Sequence, residues 1–184
     1  MSLVGLIAQA DERGLAASGL ACLDRCIPLL GGADDLLRPL WGNLTEASDA
    51  ADWGELLGQV RGKLASAAEE GDEAELLARR MLAAAPDDRC AAGIRLWADA
   101  CSVASLRIHR LLDPAADTSP VDSCREGGTE GMSPLVTAEL RRQVTVLEVL
   151  AGHGAGGLRR ALEVSTEGRR VLRAVVNRRA RGRK

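Results

Sequence analysis

The densest chemistry in the chain lies at its C-terminus. Arg169, Arg170, Arg173, Arg178, Arg179, Arg181, Arg183 and Lys184 place eight basic side chains in the last sixteen residues, with no acid among them. The preceding 168 residues hold all 26 acidic residues against 16 basic ones, so an acidic body of −10 meets a basic end of +8. Such a cluster can attract phosphates, with an affinity that falls as salt rises, or an acidic protein surface. It also suits the end of a helix, where cations offset the negative pole. No helix-turn-helix, zinc-finger or base-stacking signature accompanies it. Trp41, Trp53 and Trp97, the only aromatic residues, fall in apolar stripes and make a poor platform for stacked bases.

A second candidate is the run from Gly152 to Arg160, in which Gly154, Gly156, Gly157 and Arg159 precede a helix start. Glycines let backbone amides approach a phosphate, and a helix N-terminus supplies favourable partial charge. Dinucleotide loops follow a strand, however, and this run follows a helix and lacks a Gly-Lys-Ser/Thr ending. A helix-to-helix turn with a left-handed glycine accounts for it as well.

Asp34-Asp35-Leu36-Leu37-Arg38 resembles the aspartate-rich motif of helical prenyl-transferring enzymes, in which aspartates one turn apart hold magnesium. Arg38 stands where a further aspartate is needed, and the aromatic lining of such sites is missing. Asp34 reads as a helix cap beside a first-turn Asp35. Cys22 and Cys26 are one helical turn apart, but a structural zinc site needs four ligands. Cys101 and His109 are separated by about 12 Å along one helix and cannot share an ion. His153 sits in the glycine run, and neither histidine has a neighbour that marks it as a catalytic base. There is no Gly-x-Ser-x-Gly elbow and no His-Glu-x-x-His. The sequence therefore assigns no catalytic residue, no metal site and no cofactor.

The elements that must position these groups are helices. Of 184 residues, 46% are hydrophobic, mostly Leu and Ala, with no Phe or Tyr. That palette favours helix and disfavours a large sheet. Arg-, Ala- and Gly-rich usage with only two lysines, Lys63 and Lys184, matches chains from GC-rich bacterial genomes of the actinobacterial kind. The N-terminal apolar stretch lacks a basic leader and is interrupted by Asp11, Glu12 and Arg13, so neither a signal peptide nor a membrane span is expected. Five irregularly spaced cysteines then read as buried reduced thiols in the cytoplasm.

Periodicity places helices near 2–13, 15–30, 34–46, 49–69, 73–85, 88–112, 134–151 and 157–180. Pro28 should distort the end of the second, Pro39 should delay the third, and Ser48 or Asp49 should cap the fourth. Ile94, Trp97, Cys101, Ala104, Ile108 and Leu111 form the clearest stripe. Trp53-x-x-Leu56, Val60, Ala74, Ala78, Met81 and Pro86 resemble a tetratricopeptide unit over 34 residues, with a spacer about five residues too long. A generic helical hairpin fits these positions too.

The expected architecture is all-α, a bundle or short array of antiparallel helix pairs. Residues 1–112 form a six-helix body, 113–132 a flexible linker rich in Gly, Pro, Asp and Ser, and 133–184 a two-helix section with the basic end, packed on the body. The leading functional expectation is a non-enzymatic interaction or regulatory protein, binding another protein through a helical groove or the basic helix. A nucleic-acid-binding regulator using the arginine cluster and an enzyme with a helical pocket near Asp34, Asp35 or His109 are the alternatives. Self-association is compatible with the pattern, and an anionic membrane surface fits it less well.

Overall fold

The computed structural model describes residues 1–45, 51–64 and 71–182. Among these the chain is all-α, with no strand. Its helices are α1 (Leu3–Gln9), α2 (Glu12–Cys26), α3 (Arg38–Thr45), α4 (Ala51–Leu64), α5 (Glu73–Ala83), α6 (Ala91–Leu112), α7 (Val121–Glu126), α8 (Pro134–His153) and α9 (Leu158–Gly182). Short 3₁₀ turns occupy Ile27–Leu30 and Gly154–Gly157.

Local chemistry sets most boundaries. Ser2, Asp11, Asp72 and Cys90 each accept a hydrogen bond from the backbone N–H three residues on, starting α1, α2, α5 and α6. The first break therefore falls at Ala10–Asp11, ahead of Gly14, because the Asp11 carboxylate outcompetes glycine as the punctuating signal. Pro28 converts the end of α2 to a 3₁₀ turn, and Gly31 at φ 68° closes it. Asp34 and Asp35 lie in a turn, and α3 starts at Arg38 with Pro39 in its first turn. Asp34 thus does not cap α3. The caps expected at Ser48 or Asp49 lie outside the described residues.

α2 is the central rod. Every residue from Gly14 to Cys26 is buried, as befits a helix enclosed on all sides. It packs against α6, α8 and α9. Gly19 permits the α2–α6 contact, since a Cβ there would stand 2.6 Å from the Trp97 ring. Trp97 meets Trp53 edge-on at 6.2 Å, and both indole N–H groups donate to carbonyls, of Met81 and Pro86. In α6, Leu112 is buried while Leu111 is 38% exposed. The inward face at the end of α6 therefore lies one position beyond the expected one. α4 lies along α3, whereas α5 lies along α6, so their packing partners differ from those of a tetratricopeptide pair.

The segment 113–132 is not structureless: α7 forms inside it. Val121 packs with Leu106 and Val136, and Arg125 is held by Ser102 and Asp99 on α6. A few buried side chains anchored from outside the segment suffice to order a helix that composition alone does not suggest. α8 and α9 then form a hairpin against α2 and α6.

Candidate functional site

Two polar arrangements compete for a functional role: a cluster in the core and the basic face of α9. The core cluster is centred on Glu139 of α8. Its carboxylate accepts from Arg25 Nε at 2.8 Å and Arg25 Nη2 at 2.7 Å, a two-pronged pair in which neither side chain has any exposure. Ser105 Oγ donates to it at 2.7 Å and Gln143 Nε2 at 2.9 Å. His109 Nε2 stands 3.5 Å away, and His109 Nδ1 lies 2.7 Å from the Ser105 carbonyl, which assigns the ring proton to Nδ1. Gln143 Oε1 accepts from Ser102 Oγ at 2.7 Å, and Ser102 Oγ accepts from Arg125 Nε at 3.1 Å. The chain of bonds ends at the half-exposed Asp99.

The electrostatics follow from burial and this pairing. Burial works to raise the Glu139 pKa, but Arg25, His109 and the hydrogen bonds outweigh it and hold the carboxyl at about 2. His109 is pushed below its ordinary value, because burial outweighs the attraction of Glu139. Burial pushes the Cys22 thiol up to about 12, and it raises Cys26 and Cys101 as well. These three are protonated thiols, poor nucleophiles and poor metal ligands. Among the described residues, no three His, Cys, Asp or Glu side chains are placed to hold a metal ion. Arg25 is accommodated by Gly168 of α9, where a Cβ would come within 2.4 Å of Arg25 Cδ. The cluster joins α2, α6, α7 and α8, with Gly168 of α9 packed against the Arg25 stem.

The structure divides the C-terminal arginines. Arg169 turns inward, 9% exposed, with Nη1 2.5 Å from Asp24 Oδ1 and Nε 3.7 Å from Asp34 Oδ1. Burial raises the Asp24 pKa, and Arg169 opposes that rise. Arg173 pairs with Asp34. Arg179 Nη1 donates to the Leu111 carbonyl at 3.1 Å, at the C-terminal end of α6. Arg170, Arg178 and Arg181 point outward with no ion pair among the described residues. Arg183 and Lys184 lie outside the described residues.

No family model, curated protein or solved structure matches this chain.

The other residues singled out in the sequence fall as follows. Gly154 has φ 52°, a value that favours glycine, and Gly157 lies so close to α8 that a Cβ would stand 2.7 Å from the Val149 carbonyl. Both serve the α8–α9 turn. Arg159 is 91% exposed beside Glu163 at 3.5 Å. Gly156 faces open space and lines a groove shared with α3. Asp34 is taken up by arginines, and Asp35 is exposed. Reading the sequence missed Arg25, Ser105, Glu139 and Gln143. One signal was present: Glu139 and Gln143, one turn apart, lie on the flank of the stripe Val136–Leu140–Val144–Leu147, and a charge there demands a partner.

Proposed function

We propose that this protein is a non-enzymatic interaction protein that holds an acidic partner protein against the outer face of α9. The observation that carries this reading is the separation of the arginines into two sets. Arg169, Arg173 and Arg179 dock α9 on its own body, while Arg170, Arg178 and Arg181 are left unpaired along one outward strip. Val171, 37% exposed, and the exposed Ala174 and Asn177 stand between them. Apolar contacts interleaved with cations suit a protein surface, where apolar burial supplies affinity and charge supplies orientation. Three cations without an accessible aromatic ring suit a nucleic acid less well, since the three tryptophans are buried.

The burial of Arg25, Glu139 and His109 supports a binding role over catalysis, because none of them has a surface that a substrate could reach. No helix among the described residues is long and apolar enough to cross a membrane. Four of the five free cysteines are buried, which accords with a cytoplasmic setting. The test is affinity capture from lysate, with and without nuclease treatment, using the full chain and Arg170→Glu/Arg178→Glu/Arg181→Glu, eluting with rising salt. A discrete partner is expected on the parent protein and should be lost from the triple variant, with the helical signal unchanged. Capture that vanishes after nuclease treatment would shift the reading to nucleic acid.

A further inference from the structure

A groove runs between α3 and the first turns of α9, at the opposite end of that helix from Arg178 and Arg181. It encloses about 340 Å³, within the range of sites for small molecules. Trp41, Gly42, Leu158 and Leu162 supply a largely apolar wall, and Arg38 and Arg159 stand at its margin. Among the described residues, no acidic side chain lines it. Arg38 is exposed and forms no ion pair among the described residues. Arg159 shares Glu163 with Arg160, so its charge is partly offset. Trp41 is 3% exposed, and its indole N–H is buried without an acceptor among the described residues. Leu158 and Arg159 are the first residues of a 25-residue helix whose opening turn contains no acid, so its positive pole is not neutralised there.

We propose that this groove binds a small amphipathic carboxylate, its apolar body along Gly42, Ala155 and Leu162 and its carboxylate on Arg38. The exposed Arg38 at its rim favours an anion over a neutral or cationic ligand. Arg38 presents a planar fork that matches a carboxylate with two parallel hydrogen bonds. The site does not depend on the α9 outer face, and either can hold without the other.

Two glycines make the proposal testable without disturbing the fold. A Cβ placed on Gly42 or Gly156 meets no atom within 4 Å, so a larger side chain there extends into the groove. Gly42 lies within α3 at an ordinary helical φ, where a side chain is compatible with the backbone. The experiment is isothermal titration of the full chain with sodium decanoate below its micelle concentration, and with decanol as the uncharged counterpart. Saturable one-site binding of decanoate is expected. Arg38→Gln should weaken it about tenfold, Gly42→Leu should abolish it, and Arg170→Glu should leave it unchanged. Decanol should bind at least about tenfold more weakly than decanoate. Absence of saturable decanoate binding would overturn the proposal, as would equal binding by Gly42→Leu or equal affinity for decanol. Cosedimentation with phosphatidylglycerol vesicles that Gly42→Leu removes, without decanoate binding, would overturn it in favour of a membrane surface.

Discussion

Replacing Glu139 with Ala should unfold this protein more readily than any truncation of comparable size in its core. The substitution removes the acceptor for two Arg25 donors at 2.8 and 2.7 Å and for Ser105 and Gln143. Arg25 Nη1 already lacks a partner, and the side chain has no exposure through which water could replace the carboxylate. Breaking such a pair from one side costs about 3–5 kcal/mol. For a chain of this length that corresponds to a fall in Tm of roughly 6–20 °C. Against a total stability of about 5–15 kcal/mol, the loss is a large fraction. The companion variant, Arg25→Met/Glu139→Leu, removes both charges and keeps apolar volume. It should recover to within about 1 kcal/mol of the parent. Urea unfolding followed by far-ultraviolet circular dichroism, with thermal melts in parallel, on the parent, Arg25→Met, Glu139→Leu and the double variant closes a double-mutant cycle. A single Glu139→Ala cost below about 1 kcal/mol would refute the reasoning. So would a double variant as unstable as the sum of the two single changes.

Other consequences follow from the same geometry. His109 titrates below its ordinary value in the folded protein, so the unfolded chain binds more protons as pH falls through about 6.5. Stability should therefore drop below that pH, and His109→Gln should flatten this limb of a urea-midpoint profile. Glu139, held at about 2 against 4.5 when unfolded, contributes stability that is present above 4.5 and lost as pH falls toward 2. Gly168→Ala should destabilise by about 1–3 kcal/mol, because its Cβ meets the fixed stem of Arg25 at 2.4 Å; an unchanged melting curve would show that α9 can shift without cost. Of the five free cysteines only Cys90 is exposed, so a thiol reagent should label one site rapidly in the native protein. Cys90→Ser should leave no fast-reacting thiol, and a persistent fast phase would show that the core opens.

The helical class was legible because burial leaves a periodic trace. Ile94, Trp97, Cys101 and Ile108 are all buried on α6, spaced as a helix face requires. Pro28 and Pro39 also acted where local sterics said they would. Glu139 was not legible as a core anchor, because its partner Arg25 lies 114 residues away and spacing reports only neighbours along the chain. The same limit hid the fate of the arginines: Arg169 and Arg170 are adjacent in sequence, yet one meets Asp24, 145 residues distant, and the other meets solvent. α7 escaped notice because its ordering depends on Asp99 and Ser102 of α6 gripping Arg125, a tertiary contact with no local signature. Charge composition marks α9 as the basic element, but only the fold distinguishes the cations that dock the helix from those left in solvent.

The most direct measurement is photo-crosslinking in the native cell extract, with a photoreactive side chain at Ala174 on the outer face of α9 and, separately, at the exposed Glu73 on α5. The account predicts a discrete protein adduct from position 174 that fails to form when Arg170, Arg178 and Arg181 are reversed in charge. An adduct from position 73 alone, or one from position 174 that persists after charge reversal, would contradict it.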